Sequence, residues 1–246
     1  NTVNFTGYTL GSADAGSYAL FGQPASQAAS ISAKALTQSG LSVAASRTYD
    51  ATTGTALIGA SALLAAEAPG AGTTADGKAY TGDTVSLAGT SVGTYNSKDV
   101  AAATTVTFSG LSLTGAQSGN YSLTAHAIQA ATITAKAITA TGISAINKTY
   151  NTTLVAAINT VGGAVTGGAA ADGDNKFYTA DAITLNAAGA TGAFATKDVG
   201  AGKAVTVSGL ALGNNAAGNY TVTDASGATA TITAKAITAT GISAIN

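Results

Sequence analysis

Residues 131–147 read ATITAKAITATGISAIN, and residues 230–246 read the same without one change. Seventeen identical residues at an offset of 99 do not arise by chance, so the chain is a tandem repeat and its fold must be one that can be written twice. A looser copy, SISAKALTQSGLS, begins at Ser30, and its Lys34 answers Lys136 and Lys235, which lie 102 and then 99 residues further on. Other landmarks keep the rhythm. Arg47-Thr48-Tyr49-Asp50 answers Lys148-Thr149-Tyr150-Asn151, Tyr80-Thr81-Gly82-Asp83 answers Tyr178-Thr179-Ala180-Asp181, and Lys98-Asp99-Val100 answers Lys197-Asp198-Val199. A later stretch occurs three times, as VNFTGYTL from Val3, VTFSGLSL from Val106 and VTVSGLAL from Val205, each followed by a Gly-X-Tyr ending at Tyr18, Tyr121 or Tyr220.

The expected organisation is therefore the tail of one unit (1–33), two complete units (34–135 and 136–234) and the first strand of another (235–246). With neither an initiator Met nor a leader-like segment, the chain is read as a mature or excised stretch. Ends that fall mid-unit fit an excerpt from a longer array, or terminal strands exchanged between neighbouring chains.

A period near 100 residues is domain-sized, whereas solenoid rungs repeat at roughly 20–50, so each unit should carry its own core. Short alternating runs punctuated by Gly, Asn and Asp are the pattern of an all-β sandwich. In the first complete unit strands are expected near 31–38, 41–46, 55–64, 83–88, 91–95, 103–113, 119–125 and 128–135, with Gly110 interrupting the Val106, Phe108 alternation as a bulge would. Only the Ala-rich 56–68 tempts a helical reading. The fold expected is all-β, with tandem Ig-like antiparallel β-sandwich repeats set end to end as an elongated rod.

The junction can be placed from phase. In Thr132-Ile133-Thr134-Ala135 the apolar positions are odd-numbered; after Lys136 they are even, at Ile138 and Ala140. A strand's side-chain period is 2, so the flip exchanges inside for outside. The chain leaves one unit and enters the next at Lys136, with almost no linker.

Composition removes several functions. Charged residues are 9% of the chain against the roughly 25% of an ordinary soluble protein. Ten basic and eleven acidic residues give no footprint for nucleic acid or an anionic membrane, and no apolar run is long enough for membrane insertion as a helix. Cysteine is absent, which rules out disulfides and thiolate metal sites. Recurrent Val, Ile, Leu, Tyr and Phe at ordered spacing argue against disorder.

At Arg47-Thr48-Tyr49-Asp50 the repeat resembles the YDG repeat, named for Tyr-Asp-Gly, and the related MBG-type repeats. The Lys-Asp-Val, Thr-Val-Ser-Gly-Leu and Gly-Asn-Tyr landmarks extend the resemblance over nearly the whole chain. The signature departs at its third position, Ala51 and Thr152, and Asn151 stands for the Asp in the second unit. The resemblance implies Ig-like modules in large bacterial surface exoproteins, including haemagglutinin-like adhesins of two-partner secretion systems and biofilm matrix adhesins. There the repeats lie in the stalk, and no catalytic residues carry over.

No constellation for chemistry emerges from the residues. His126 is the only histidine, and its equivalents near Gln23 and Ala225 cannot replace it, so a triad or His-rich metal site is not expected. Glu67 is the only glutamate. Asp83/Asp181 and Asp99/Asp198 recur, as shared turn chemistry or buried hydrogen bonding would require. Asp172, Asp174 and Asn175 resemble part of a calcium loop without its bidentate Glu, and Asp76-Gly77-Lys78 stands there in the first unit. The Gly162-Gly163 and Gly167-Gly168 pairs lack the Lys and the strand-to-helix setting of phosphate loops. Lys98-Asp99 and Lys197-Asp198 lack an assignable partner for a Lys–Asn crosslink. Asn4, Asn120, Asn147, Asn151 and Asn219 head glycosylation triplets. The tyrosines are expected in the core, the rival being a sugar-stacking surface.

The expectation is a non-enzymatic stalk or spacer at the bacterial cell surface, with no cofactor and no metal, whose partners are neighbouring repeats of the same protein. The alternatives are repeats that hold exopolysaccharide or host glycan, and a homo-polymer in which strands are exchanged.

Overall fold

The structure, a computed structural model, describes residues 1–169, 173–224 and 226–241. Among them the chain forms strands and three single-turn 3-10 segments, Ala15–Ser17, Ser118–Asn120 and Thr179–Asp181, with no α-helix. The all-β expectation holds, and it holds over the Ala-rich 56–68, where Ala62–Glu67 is a strand. Alanine's helix propensity is a weak prior. Here it is overridden by pairing with Gln38–Ser39 on one side and Lys78–Tyr80 on the other.

Contacts divide the chain into two units. The first comprises Asn1–Leu41, Gly59–Ser91 and Ser109–His126; the second comprises Ser42–Ile58, Val92–Phe108 and the described residues from Ala127 onward.

In the first unit, Lys34–Leu36 runs parallel to Tyr121–Leu123 beside the sheet just described. Its core is small: Leu36, Ala79 and Tyr121, packed by Leu63, Tyr80, Val85 and Leu113. Ser86–Tyr95 and Thr105–Thr114 are neighbouring strands, each contributing one part to this unit and one to the second. Gly110 does break the alternation, with φ +88°, and Gly89 opposite it has φ +97°. A Cβ on Gly89 would stand 2.2 Å from the Gly110 carbonyl oxygen, a closeness only glycine permits.

In the second unit, Ser46–Thr48 runs parallel to Thr132–Thr134. Lys136–Thr141 lies between Ala164–Val165, antiparallel, and Tyr220–Asp224, parallel. A five-stranded sheet follows in the order Lys148–Thr149, Thr229–Thr233, Gly200–Ser208, Thr191–Phe194, Val155–Ala156. Gly142, φ +79°, makes the same close approach to Gly162 that Gly89 makes to Gly110.

Two expectations are corrected. The pairing is not antiparallel throughout: in each repeat the opening strand and a strand near the repeat's end run in the same direction. A parallel pair needs a long crossover, and the intervening body of the repeat supplies one. Nor does the apolar core close at the repeat boundary. Tyr49, Tyr95, Val106 and Ile133 belong to the same buried cluster as Ile138, Tyr178, Ile183 and Tyr220.

The phase flip at Lys136 is present as read. Ala131 and Ile133 are buried on odd positions, then Lys136, Ile138 and Ala140 on even ones, with Ala135 alone between strands of different sheets.

Candidate functional site

The flip places Lys136 in the inward phase, where a charge has to find partners or shift its protonation. Lys136 is 2% exposed; its Nζ donates to Asp174 Oδ1 and to the Lys176 carbonyl, and it stands 4.9 Å from the Tyr178 ring centroid. The Lys136 ammonium and the Lys176 N–H together hold the Asp174 carboxyl below the usual range, with Lys136 the larger cause. In the first unit Lys34 repeats the arrangement with other acids: Glu67 Oε1 at 2.7 Å, Asp76 Oδ1 at 3.0 Å, and the Tyr80 ring at 4.1 Å. Burial opposes charge on Lys34, but the hydrogen bonds to Glu67 and then Asp76 raise its pKa. The Lys78 N–H, and then Lys34 against the opposing effect of burial, hold Asp76 low. These two lysines mark the repeat boundaries in the sequence and, in the fold, anchor their strands through ion pairs. The signal was there, since Lys136 shares the even phase of Ile138 and Ala140.

Beside Lys136 lies a second constellation. Tyr49, from the first repeat, is fully buried, with its ring centroid 5.9 Å from that of Tyr178 and 5.4 Å from that of Tyr220, the latter edge-on. Such pairs contribute about 0.5–1.5 kcal/mol beyond the area they bury. The Tyr49 hydroxyl donates to Asp181 Oδ2 at 2.9 Å, and the Tyr220 hydroxyl donates to the same oxygen at 2.6 Å. The Tyr220 hydroxyl also accepts the Tyr178 N–H at 3.0 Å. One carboxylate thus ties a ring of the first repeat to a ring of the second. Burial, and then the Asp181 carboxylate, raise the pKa of both phenols.

The rim is polar. Lys98 Nζ donates to Tyr49 Oη at 3.3 Å and pairs with Asp99 at 2.9 Å. Asn219 Nδ2 donates to Asp99 Oδ1 at 2.9 Å, and Asn219 Oδ1 accepts the Val100 N–H at 2.9 Å. The Ala101 N–H reaches the Ala217 carbonyl at 3.2 Å. The Asn219 amide and then Lys98 hold Asp99 below the usual carboxylate range, while Asp99 first, and Tyr49 after burial's opposing effect, raise Lys98. Asp99, Asp181 and Tyr49, singled out separately in the sequence, are brought together here. Asn219, the centre of the Gly-Asn-Tyr landmark and the head of a glycosylation triplet, is 7% exposed, with its side-chain amide bonded to Asp99 and to the Val100 N–H.

The first unit holds one half of this arrangement. The Tyr121 hydroxyl donates to Asp83 Oδ2 at 2.6 Å and accepts the Tyr80 N–H at 3.1 Å, and Asn120 is exposed. The second unit also holds the other half once more: Tyr150 is half-buried, and Lys197, Asp198 and Val199 are exposed.

The Tyr-Asp motif itself is a turn. Asp50 Oδ1 accepts the Thr52 N–H and hydroxyl, both at 2.9 Å, and pairs with Arg47. Asn151 accepts the equivalent Thr153 groups. The third position has φ +64° at Ala51 and +71° at Thr152, the left-handed region that favours glycine. That is why the signature has Gly there.

The remaining candidates stay dispersed. Glu67 is spent on Lys34, His126 is half-exposed, and Asp174 faces a lysine ammonium rather than a cation site. Asp172 and Ala225 lie outside the described residues. Among the described residues no group of three or more His, Cys, Asp or Glu is placed to hold a metal.

Comparison with curated proteins and with solved structures finds no match. Comparison with protein families finds one, the YDG domain, matched twice, over residues 32–130 and 134–231. The two matches take in the lysine anchors, the Tyr-Asp turns and both tyrosine–aspartate pairs, and the chain belongs to the YDG domain family.

Proposed function

We propose that the chain is a run of structural spacer modules from an extracellular bacterial adhesin or matrix protein. In this reading the modules are Ig-like, are arranged as a rod, and project an adhesive region from the cell surface. The observation that carries it is how the recurrent residues are spent. Tyr49, Asp99, Asp181, Asn219 and Tyr220 hydrogen-bond one another where the first repeat meets the second, and the pocket of about 280 Å³ that Asp99, Asp181, Asn219 and Tyr220 also line is bordered by side chains already held in these bonds. A spacer needs its repeats joined closely, and the one-residue connection at Ala135, with a buried cluster to which residues of both repeats contribute, supports that reading. The low charge and hydroxyl-rich outer faces suit a module whose partner is its own neighbour. The rings a sugar would stack on are, in the two complete copies, mostly buried: Tyr49, Tyr95, Tyr121, Tyr178, Phe194 and Tyr220.

Small-angle scattering from the dilute chain tests the proposal. A compact body of this length has a radius of gyration of about 18 Å. The expected result is a clearly larger value with a long tail in the distance distribution. A compact globule overturns the spacer reading.

A further inference from the structure

Lys34 is a buried amine that two carboxyls approach in different ways. Its side chain is 7% exposed, those of Glu67 and Asp76 are 10% and 19% exposed, and the Tyr80 ring closes one side at 4.1 Å. Nζ stands 2.7 Å from Glu67 Oε1 and 3.0 Å from Asp76 Oδ1. The remaining oxygens of the two carboxyls both lie against Gly72, where a Cβ would stand 2.3 Å from Glu67 Oε2 and 2.5 Å from Asp76 Oδ2. The two carboxyls are hydrogen-bonded to one another, which requires a proton between them. Asp76 Oδ1 also accepts the Lys78 N–H at 3.0 Å, and Oδ2 accepts the Thr73 N–H at 3.1 Å. An ion pair needs one acid. Here a second acid touches both the amine and the carboxyl that the amine faces. In the second repeat that acid is replaced. Glu67 lies opposite Tyr80 across two parallel strands, and Gly168 lies opposite Tyr178 in the same way, so Lys136 faces Asp174 with no carboxyl from that strand.

We propose that Lys34 and Asp76 condense to an isopeptide bond in the folded chain, with Glu67 as the proton carrier. Hydrogen bonds to the acids keep Lys34 charged in the ion pair, while burial, the largest single influence on it, works against that charge. The reacting form is the neutral one. A proton passes from Nζ through Glu67 to Asp76 Oδ2, leaving an amine lone pair and an uncharged acid. Nζ attacks Asp76 Cγ and the C–N bond forms. Negative charge develops on Oδ1 against the Lys78 N–H, a donor already fixed in place. The Cγ–Oδ2 bond then breaks, Glu67 passes a second amine proton to the departing oxygen, and one water leaves. The amide nitrogen keeps its last hydrogen, and Glu67 ends as it began. Condensation is unfavourable between free groups in water, but reactants fixed in one site reach effective molarities of about 10⁵–10⁸ M. The bond ties the opening strand Lys34–Leu36 to the loop that leads into Lys78–Tyr80, closing the chain between them into a ring that tension cannot extend. The inference does not rest on the spacer reading.

The experiment is mass spectrometry of the intact chain, purified folded and then denatured, followed by tryptic mapping. The expected mass is lower by one water than the sequence requires. Trypsin should leave Lys34 uncut and release a branched peptide that joins residues 1–47 to residues 48–78. Three variants locate the chemistry. Lys34→Arg keeps the charge without a condensing amine, Asp76→Ala removes the carboxyl, and Glu67→Gln removes the carrier. Each should show its full mass, with circular dichroism confirming that it is folded. An unaltered chain at full mass overturns the proposal. Water lost with Lys34 still cut also overturns it, because that is the signature of Asp76 closing onto the Gly77 nitrogen. A crosslink that survives in Glu67→Gln, or one that joins Lys136 to Asp174, overturns the role given to Glu67. None of these outcomes alters the scattering result that tests the spacer reading.

Discussion

Tyr178–Asp181–Tyr220 and Tyr80–Asp83–Tyr121 are the same three residue types at equivalent places in the two repeats, yet they live in different surroundings. In the second repeat Asp181 accepts two phenols; in the first, Asp83 accepts one. The tyrosine–aspartate bond forms in both, so it belongs to the repeat. The closure of Asn219 and Tyr178 against water belongs to the neighbour that arrives with Tyr49, Lys98 and Asp99. Half of each joint is therefore local structure, and half is an interface.

The largest test of that division is truncation of the inserting ring. Tyr49→Ala removes a fully buried side chain and leaves Asp181 with one donor, and should cost about 3–5 kcal/mol in urea unfolding. Tyr150→Ala, at the half-buried equivalent, should cost about 1 kcal/mol. Equal losses would break the comparison, because burial at Tyr49 would then owe nothing to the second repeat.

A smaller effect is expected at the carboxylates. Asp181→Ala strands two buried hydroxyls and should cost about 2–3 kcal/mol, whereas Asp83→Ala strands one and should cost about 1 kcal/mol, read from the same denaturation curves.

Alkaline pH sharpens the contrast without mutation. Tyr49 and Tyr220 titrate above their ordinary value of 10.0, because burial and Asp181 disfavour the phenolate. Folded phenols that keep their protons longer than unfolded ones give stability that is complete below about pH 10 and is lost as pH rises from there toward their folded values. Lys98, also raised, adds loss of the same sign. Thermal melts between pH 8 and pH 11.5, with tyrosinate absorbance followed in parallel, should show flat stability to about pH 10 and a decline beyond it. Asp181→Ala should flatten that decline.

The smallest effect has the opposite sign. Thr152→Gly and Ala51→Gly relieve left-handed backbone that costs an ordinary residue about 1–2 kcal/mol, offset by the greater freedom of glycine in the unfolded chain. Each should gain about 0.5–1 kcal/mol, with β-branched Thr152 gaining more. A loss at either position would show that the packing of its side chain outweighs the strain of its backbone angle.

Much of this was readable along the chain because it is local. The flip at Lys136 needs only the parity of Ile133, Ile138 and Ala140, and the family resemblance needs only short words kept in order. What escaped depends on distant pairs. Tyr49 and Asp181 lie 132 residues apart, and nothing in either word distinguishes Tyr49, which finds a partner, from Tyr150. The strand Lys78–Tyr80 escaped because three residues beside a Gly-rich loop carry no period, although Asp76 and Tyr80 there complete the Lys34 site. The parallel pairing of opening and closing strands escaped for the same reason. The turn at Ala51 was visible as a departure from the signature, but its left-handed angle was not.

That parallel pairing has a mechanical consequence. Lys136–Thr141 and Tyr220–Asp224 point the same way through five matched positions, from Lys136 opposite Tyr220 to Ala140 opposite Asp224. A load that enters at Lys136 and leaves past Asp224 pulls the two strands lengthwise in opposite senses. Their backbone bonds share the force and must fail together, instead of parting one after another like a zipper. The strand order thus sets how hard the module is to rupture when stretched, and does so separately from its equilibrium stability.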